Sequence, residues 1–104
     1  MSVPSREQRL EEPLLTELVA GLEGWERDGE AITKTYAFKG FRAAVAFVDR
    51  VAEAAQAAKH HPDIHLERYR FVRVVLTTHA SGGISQADID LASAIEAVAP
   101  PASS

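Results

Sequence analysis

The sequence predicts an α+β domain, a four-stranded antiparallel sheet with three helices packed on one face in the order α-β-β-α-β-β-α. Three observations lead there. Three stretches repeat apolar residues at helical spacing, around 14–22, 41–59 and 84–98. Between them lie two pairs of strand-like runs rich in β-branched and aromatic residues. No internal repeat or linker divides the chain, so residues 1–104 are expected to form one domain.

Residues 1–11 are polar and are expected to be loosely ordered, as are residues 100–104. Ser5 and Gln8 stand at capping-box spacing, but Pro13 interrupts any helix begun there. Pro13 instead suits the first turn of a helix carrying Leu14, Leu15, Leu18, Val19 and Leu22, which Gly21 and Gly24 end. Trp25 opens a short extended piece, and Asp28-Gly29 is a hairpin-turn signal. The alternating run Ala31–Phe38 is the second strand, broken by Gly40.

Phe41–Lys59 is predicted as the longest helix, with Val45, Val48, Val51, Ala52 and Ala55 as its apolar stripe. Its second half is rich in alanine, which permits close approach either of the domain's own core or of a second subunit. Pro62 disfavours helical geometry at His61, so the helix must end about there. Ile64–Glu67 and Tyr69–Thr78 form the second strand pair. In the latter, Val72, Val74 and Leu76 share one face, while Phe71, Val75 and Thr77 share the other in line with His79. A strand apolar on both faces is central, or covered by a partner. Ala80–Gly83 reads as a loop, and Ser85 with Asp88 as a capping box. The last helix carries Ile84, Ile89, Leu91, Ala92, Ile95 and Val98 and stops at Pro100-Pro101.

Composition excludes several function classes. The formal charge is −4 and the pI about 5.5, which argues against nucleic acid as a direct partner, since phosphate binding needs a cationic surface. Arg68, Arg70 and Arg73 form a local basic cluster, too small to reverse that balance and readable as a solvated strand face. There is no cysteine, hence no disulfide framework, thiolate metal site or cysteine nucleophile. No apolar run nears the roughly 18 residues needed to span a membrane, and Met1–Leu10 lacks a signal-peptide core. A cytoplasmic protein without membrane contact is expected.

Three of the four histidines sit at the ends of predicted elements: His60 and His61 before Pro62, and His79 after the last strand. Imidazole is the side chain best suited to moving protons near neutral pH. If the strand ending at His79 neighbours the one after Pro62, the imidazoles can share a cleft. Asp88 at the next helix start is then a candidate orienting carboxylate. The competing readings are a helix C-terminal cap that favours the dipole, and a zinc site. Adjacent histidines rarely aim both nitrogens at one ion, which disfavours metal. His65 reads as a solvent-facing strand residue. Neither a phosphate-binding glycine loop nor a nucleophile elbow is present.

Taken in order, Gly24-Trp25, Tyr36–Phe41, His60-His61-Pro62-Asp63-Ile64, Tyr69, Thr77-Thr78-His79, Gly82–Ser85 and Asp88–Ala92 make the chain, from about Leu14 to Val98, resemble the pterin-4a-carbinolamine dehydratase family. The resemblance implies dimers, often paired into tetramers, and a pterin substrate. The implied reaction is loss of water from 4a-hydroxytetrahydropterin to give quinonoid dihydropterin, with no metal and no cofactor. It implies His60, His61 and His79 as catalytic residues, with Asp88, Ile64 and Thr78 at the substrate. Four departures from the family pattern stand near the pair. Gln56 occupies a place that is often acidic, and Lys59 one that is commonly small or acidic. Ile64 stands where an aromatic is common, and the spacer from Pro62 to Tyr69 is one residue longer than in many relatives. A non-catalytic interaction module on the same scaffold, of the transcriptional-cofactor or assembly-factor type, is the alternative; the full histidine set favours the enzyme.

Overall fold

A computed structural model describes residues 7–100. The proposed Ser5 cap and the tail after Pro100 lie outside the described residues. The element order is α1 (Leu14–Ala20), β1 (Glu26–Asp28), β2 (Ala31–Ala37), α2 (Phe41–Ala58), β3 (Asp63–Glu67), β4 (Phe71–Leu76) and α3 (Gln86–Val98). A single 3-10 turn, His79–Ser81, separates β4 from α3. The α+β class and the α-β-β-α-β-β-α order are as the sequence predicts.

All pairings are antiparallel and the spatial order is β1-β2-β4-β3. β4 is therefore an interior strand, one of the two readings that its apolar residues on both faces allow. Its Val72, Val74 and Leu76 are fully buried, and register places them beside Tyr36, Lys34 and Ile32 of β2. This face carries the helices. Against it pack Leu15 and Val19 from α1, Ala44, Phe47, Val51 and Ala55 from α2, and Leu91, Ala92 and Ile95 from α3. The opposite face, with Thr35, Arg73, His65 and Glu67, is partly exposed.

Differences of detail have local causes. The buried stripe of α2 runs Ala44, Phe47, Val51, Ala55 rather than through Val45 and Ala52, which are exposed. Phe47 decides that rotation, because its ring packs 4.6 Å from Tyr36 and 5.1 Å from Phe38. Strand β4 begins at Phe71, not Tyr69, because Arg68 and Tyr69 adopt φ of 50° and 58° and reverse the chain. It ends at Leu76, and His79 opens the 3-10 turn instead of continuing the strand. Within the polar N-terminal segment, Leu10 N–H donates to the Ile84 carbonyl at 2.8 Å and Arg9 bridges to Ser85. Among the described residues no helix is long and apolar enough to cross a membrane.

Candidate active site

The end of α2 positions the histidine pair. Lys59 takes the left-handed conformation, φ 54° and ψ 40°. The N–H of Lys59 donates to Gln56 O, at 3.2 Å, and that of His60 to Ala55 O, at 3.1 Å. These two bonds are the Schellman pattern, which closes the helix and turns the chain away from its axis. Pro62 then prevents re-entry into helix at His61 and leads into β3.

The beginning of α3 supplies the partner. Ser85 and Asp88 form the capping box that the sequence predicts. The Asp88 carboxylate is fully buried and does more than cap. Its Oδ2 accepts the Ser85 N–H at 2.9 Å and the Thr78 hydroxyl at 2.8 Å, while its Oδ1 lies 2.6 Å from His60 Nε2. Ser85 Oγ is 2.7 Å from Thr78 Oγ1. Because the Thr78 proton is committed to Asp88, Ser85 is the donor in that contact. The cluster is thus a directed chain, Ser85 to Thr78 to Asp88, with His60 on the other oxygen. His60 is 12% exposed, so a charge-assisted bond forms in a site with little water to weaken it.

His61 and His79 join the cluster through the chain, each following directly on a member of it, and both are exposed. His61 Nε2 lies 2.9 Å from Gln56 Oε1 on the last turn of α2. Thr78 pairs with Gly83 through both backbone directions, N–H to O at 2.9 Å and O to N–H at 3.4 Å. That closes the small loop carrying His79, in which Gly82, φ 73°, supplies the left-handed turn residue. Ile64 is half-buried on the helix-facing side of β3 beside Val74.

Of the residues singled out from sequence, the structure brings His60, Asp88 and Thr78 into direct contact. Ser85 and Gln56 are added. Ser85 is legible only as a helix cap, and Gln56 only as a departure from an expected acid. Among the described residues no three His, Cys, Asp or Glu side chains are arranged to hold a metal ion.

The site can therefore present one imidazole fixed by a buried carboxylate, with two exposed imidazoles, His61 next to His60 and His79 next to Thr78. Residues 8–98 match the family model described as "Pterin 4 alpha carbinolamine dehydratase". A relative from Thermomicrobium roseum, provisionally named a pterin-4-alpha-carbinolamine dehydratase, is 52% identical over 81% of this chain and 89% of its own length. A relative from Roseiflexus with the same provisional name is 46% identical over 86% of this chain and 96% of its own. A crystal structure from Brucella melitensis, titled a transcriptional coactivator/pterin dehydratase, superposes with a TM-score of 0.83 at 35% identity. That match covers 89% of this chain and 100% of the other.

Proposed function

The chain belongs to the pterin 4 alpha carbinolamine dehydratase family, and on that premise we propose that it eliminates water from a 4a-hydroxytetrahydropterin to give the quinonoid dihydropterin. The observation that supports this most directly is the buried Asp88–His60 pair, with His61 and His79 each next in sequence to a member of the cluster. Elimination requires a proton delivered to the leaving hydroxyl and a proton removed from the adjacent ring nitrogen. The C–O bond breaks as the C=N bond forms, and water departs. Neutral and protonated imidazoles supply the two transfers, each worth on the order of 100- to 10,000-fold in rate.

In this reading His61 and His79 are the acid/base pair, and their exposure leaves them reachable by a small molecule. His60, held by Asp88, binds and orients the pterin. Thr78 and Asp88 act at the substrate through His60, and Ile64 offers half-buried apolar surface on β3. The test is a direct assay on freshly generated 4a-hydroxytetrahydropterin, following quinonoid product. Acceleration over the spontaneous reaction supports the proposal; none overturns it.

A second reading, a protein-interaction module, draws support from the coactivator half of the Brucella melitensis title. We also propose a homodimer or homotetramer. Phe41 and Val45 on α2, 56% and 37% exposed, offer apolar surface for it. A light-scattering mass of a single chain at micromolar concentration would reject that assembly.

A further inference from the structure

We infer that both histidines of the pair are held as Nε2–H tautomers, so that the atom each presents to its reaction partner is Nδ1, and that Gln56 is the positioning residue that does this for His61. The inference rests on the proposed dehydration only for the identity of the partner; the tautomers follow from the structure.

The Nε2 of His60 faces Oδ1 of Asp88 at 2.6 Å, and an ionised carboxylate only accepts hydrogen bonds. Nε2 must therefore carry a proton in either charge state of the ring. In the neutral ring the lone pair is then on Nδ1. Among the described residues the one buried side-chain nitrogen or oxygen without a partner is Trp25 Nε1. The Nδ1 of His60 makes no hydrogen bond to another described residue and consequently reaches solvent.

For His61 the constraint comes from the neighbouring element. Gln56 Oε1 lies 2.9 Å from Nε2, and an amide oxygen is likewise an acceptor. The two side chains are five residues apart across the end of a helix. The left-handed Lys59 makes the approach possible by folding the chain back over the last turn. The charged groups nearest in the chain are Lys59 and Asp63. A neutral amide fixes the ring without adding a charge to this set, which an acidic side chain at the same place would do.

The consequence is geometric. Nδ1 is bonded to Cγ, one bond from Cβ, whereas Nε2 is at the far edge of the ring. A molecule bound to both Nδ1 atoms lies close to the main chain of residues 60–62, not out beyond the imidazole tips. The pair of adjacent histidines then offers two Nδ1 atoms along one short stretch of chain.

Two experiments test this. Heteronuclear NMR of the imidazole nitrogens above the titration range should show His60 and His61 of the wild type as Nε2–H. In Gln56→Met, of similar shape but without the acceptor, His61 should relax toward the mixed population of a free imidazole. Gln56→Glu, which keeps an acceptor oxygen, should restore the single tautomer. An Nδ1–H ring at either position in the wild type, or a His61 indifferent to Gln56→Met, overturns the assignment.

The second experiment uses amide mimics, since the amide of asparagine reaches the place of Nδ1, where its oxygen can accept, and that of glutamine reaches the place of Nε2. His60→Asn, which loses the Asp88 contact but keeps an acceptor at the place of Nδ1, should raise the KM for 4a-hydroxytetrahydropterin less than His60→Gln does. His60→Gln should raise it about tenfold, one hydrogen bond's worth. The reverse order overturns the proposal. A wild type with Nε2–H tautomers but no dehydratase activity would overturn the reaction and uphold the tautomers, so the two failures are distinguishable.

Discussion

The carboxylate of Asp88 caps the helix it belongs to with one oxygen and holds His60, at 2.6 Å, with the other. Twenty-eight residues separate the two in the chain, and neither is in reach of the other until α2 and α3 are packed together. One group therefore serves both the local structure of a helix terminus and the chemistry of the cluster.

Replacing Asp88 by Asn tests that double duty. An amide cannot accept from His60, Thr78 and the Ser85 N–H at once, because one of its two ends is a donor. Stability should fall by about 1–3 kcal/mol, the cost of leaving buried donors unsatisfied. The dehydratase rate should fall by roughly 100-fold or more. Urea unfolding and the 4a-hydroxytetrahydropterin assay measure the two effects separately.

His61→Ala and His79→Ala should behave in the opposite way. Both side chains are exposed, so unfolding free energy should stay within about 0.5 kcal/mol of the wild type. The rate should nevertheless fall by roughly 100-fold for each. Full activity in either variant would remove that histidine from the acid/base pair.

Away from the site, Tyr36, Lys34 and Glu96 form a coupled trio in which Glu96 accepts from the Tyr36 hydroxyl and, at 2.8 Å, from Lys34. Burial works to raise the Glu96 carboxyl, but the hydrogen bonds from Lys34 and Tyr36 outweigh it and hold the group below its ordinary value. A depressed carboxylate adds stability that is present above its unfolded value and lost as pH falls through its folded one. The advantage of the wild type over Glu96→Gln should therefore shrink as pH drops below about 4.5. For Tyr36, burial first and Glu96 second push the phenol up. That contribution is intact at neutral pH and is lost above about pH 10. Denaturation midpoints of both proteins across the pH range check the two limbs.

Lys59 supplies a stability test at the edge of the site. A non-glycine residue in the left-handed region costs about 1–2 kcal/mol, and glycine there gives back about 0.5–1 kcal/mol in unfolded-chain entropy. Lys59→Gly should thus gain close to 1 kcal/mol, read as a rise of about 4–8 °C in Tm. An unchanged or lowered Tm would mean that the lysine side chain makes a compensating contact.

What was legible in the sequence followed from short-range rules. The Asp28-Gly29 hairpin appears with Gly29 at φ 62°, and the Ser85–Asp88 box caps α3 as its spacing demands. The proline after the histidine pair marked a helix end, although the closure itself is a backbone Schellman pattern on Lys59 that no residue type announces. The face of α2 was less legible: a stripe through Val45 and one through Ala44 differ by one position, and only the packing of Phe47 on Tyr36 and Phe38 chooses. The identity of the histidine set was readable, but its wiring was not. That Asp88 would meet His60, and Gln56 meet His61, depends on how α2 ends and where α3 starts, and those are tertiary facts.

The shared carboxylate has a consequence for how this protein fails. Because His60 is held only when the last turn of one helix lies against the first turn of another, a chain that loses the α2–α3 contact also loses its oriented imidazole. Heat or denaturant should then extinguish catalysis in step with the cooperative transition, with no partly unfolded species left working. Activity would thus serve as a faithful gauge of the folded fraction. At position 88, drift in sequence faces two independent vetoes rather than one.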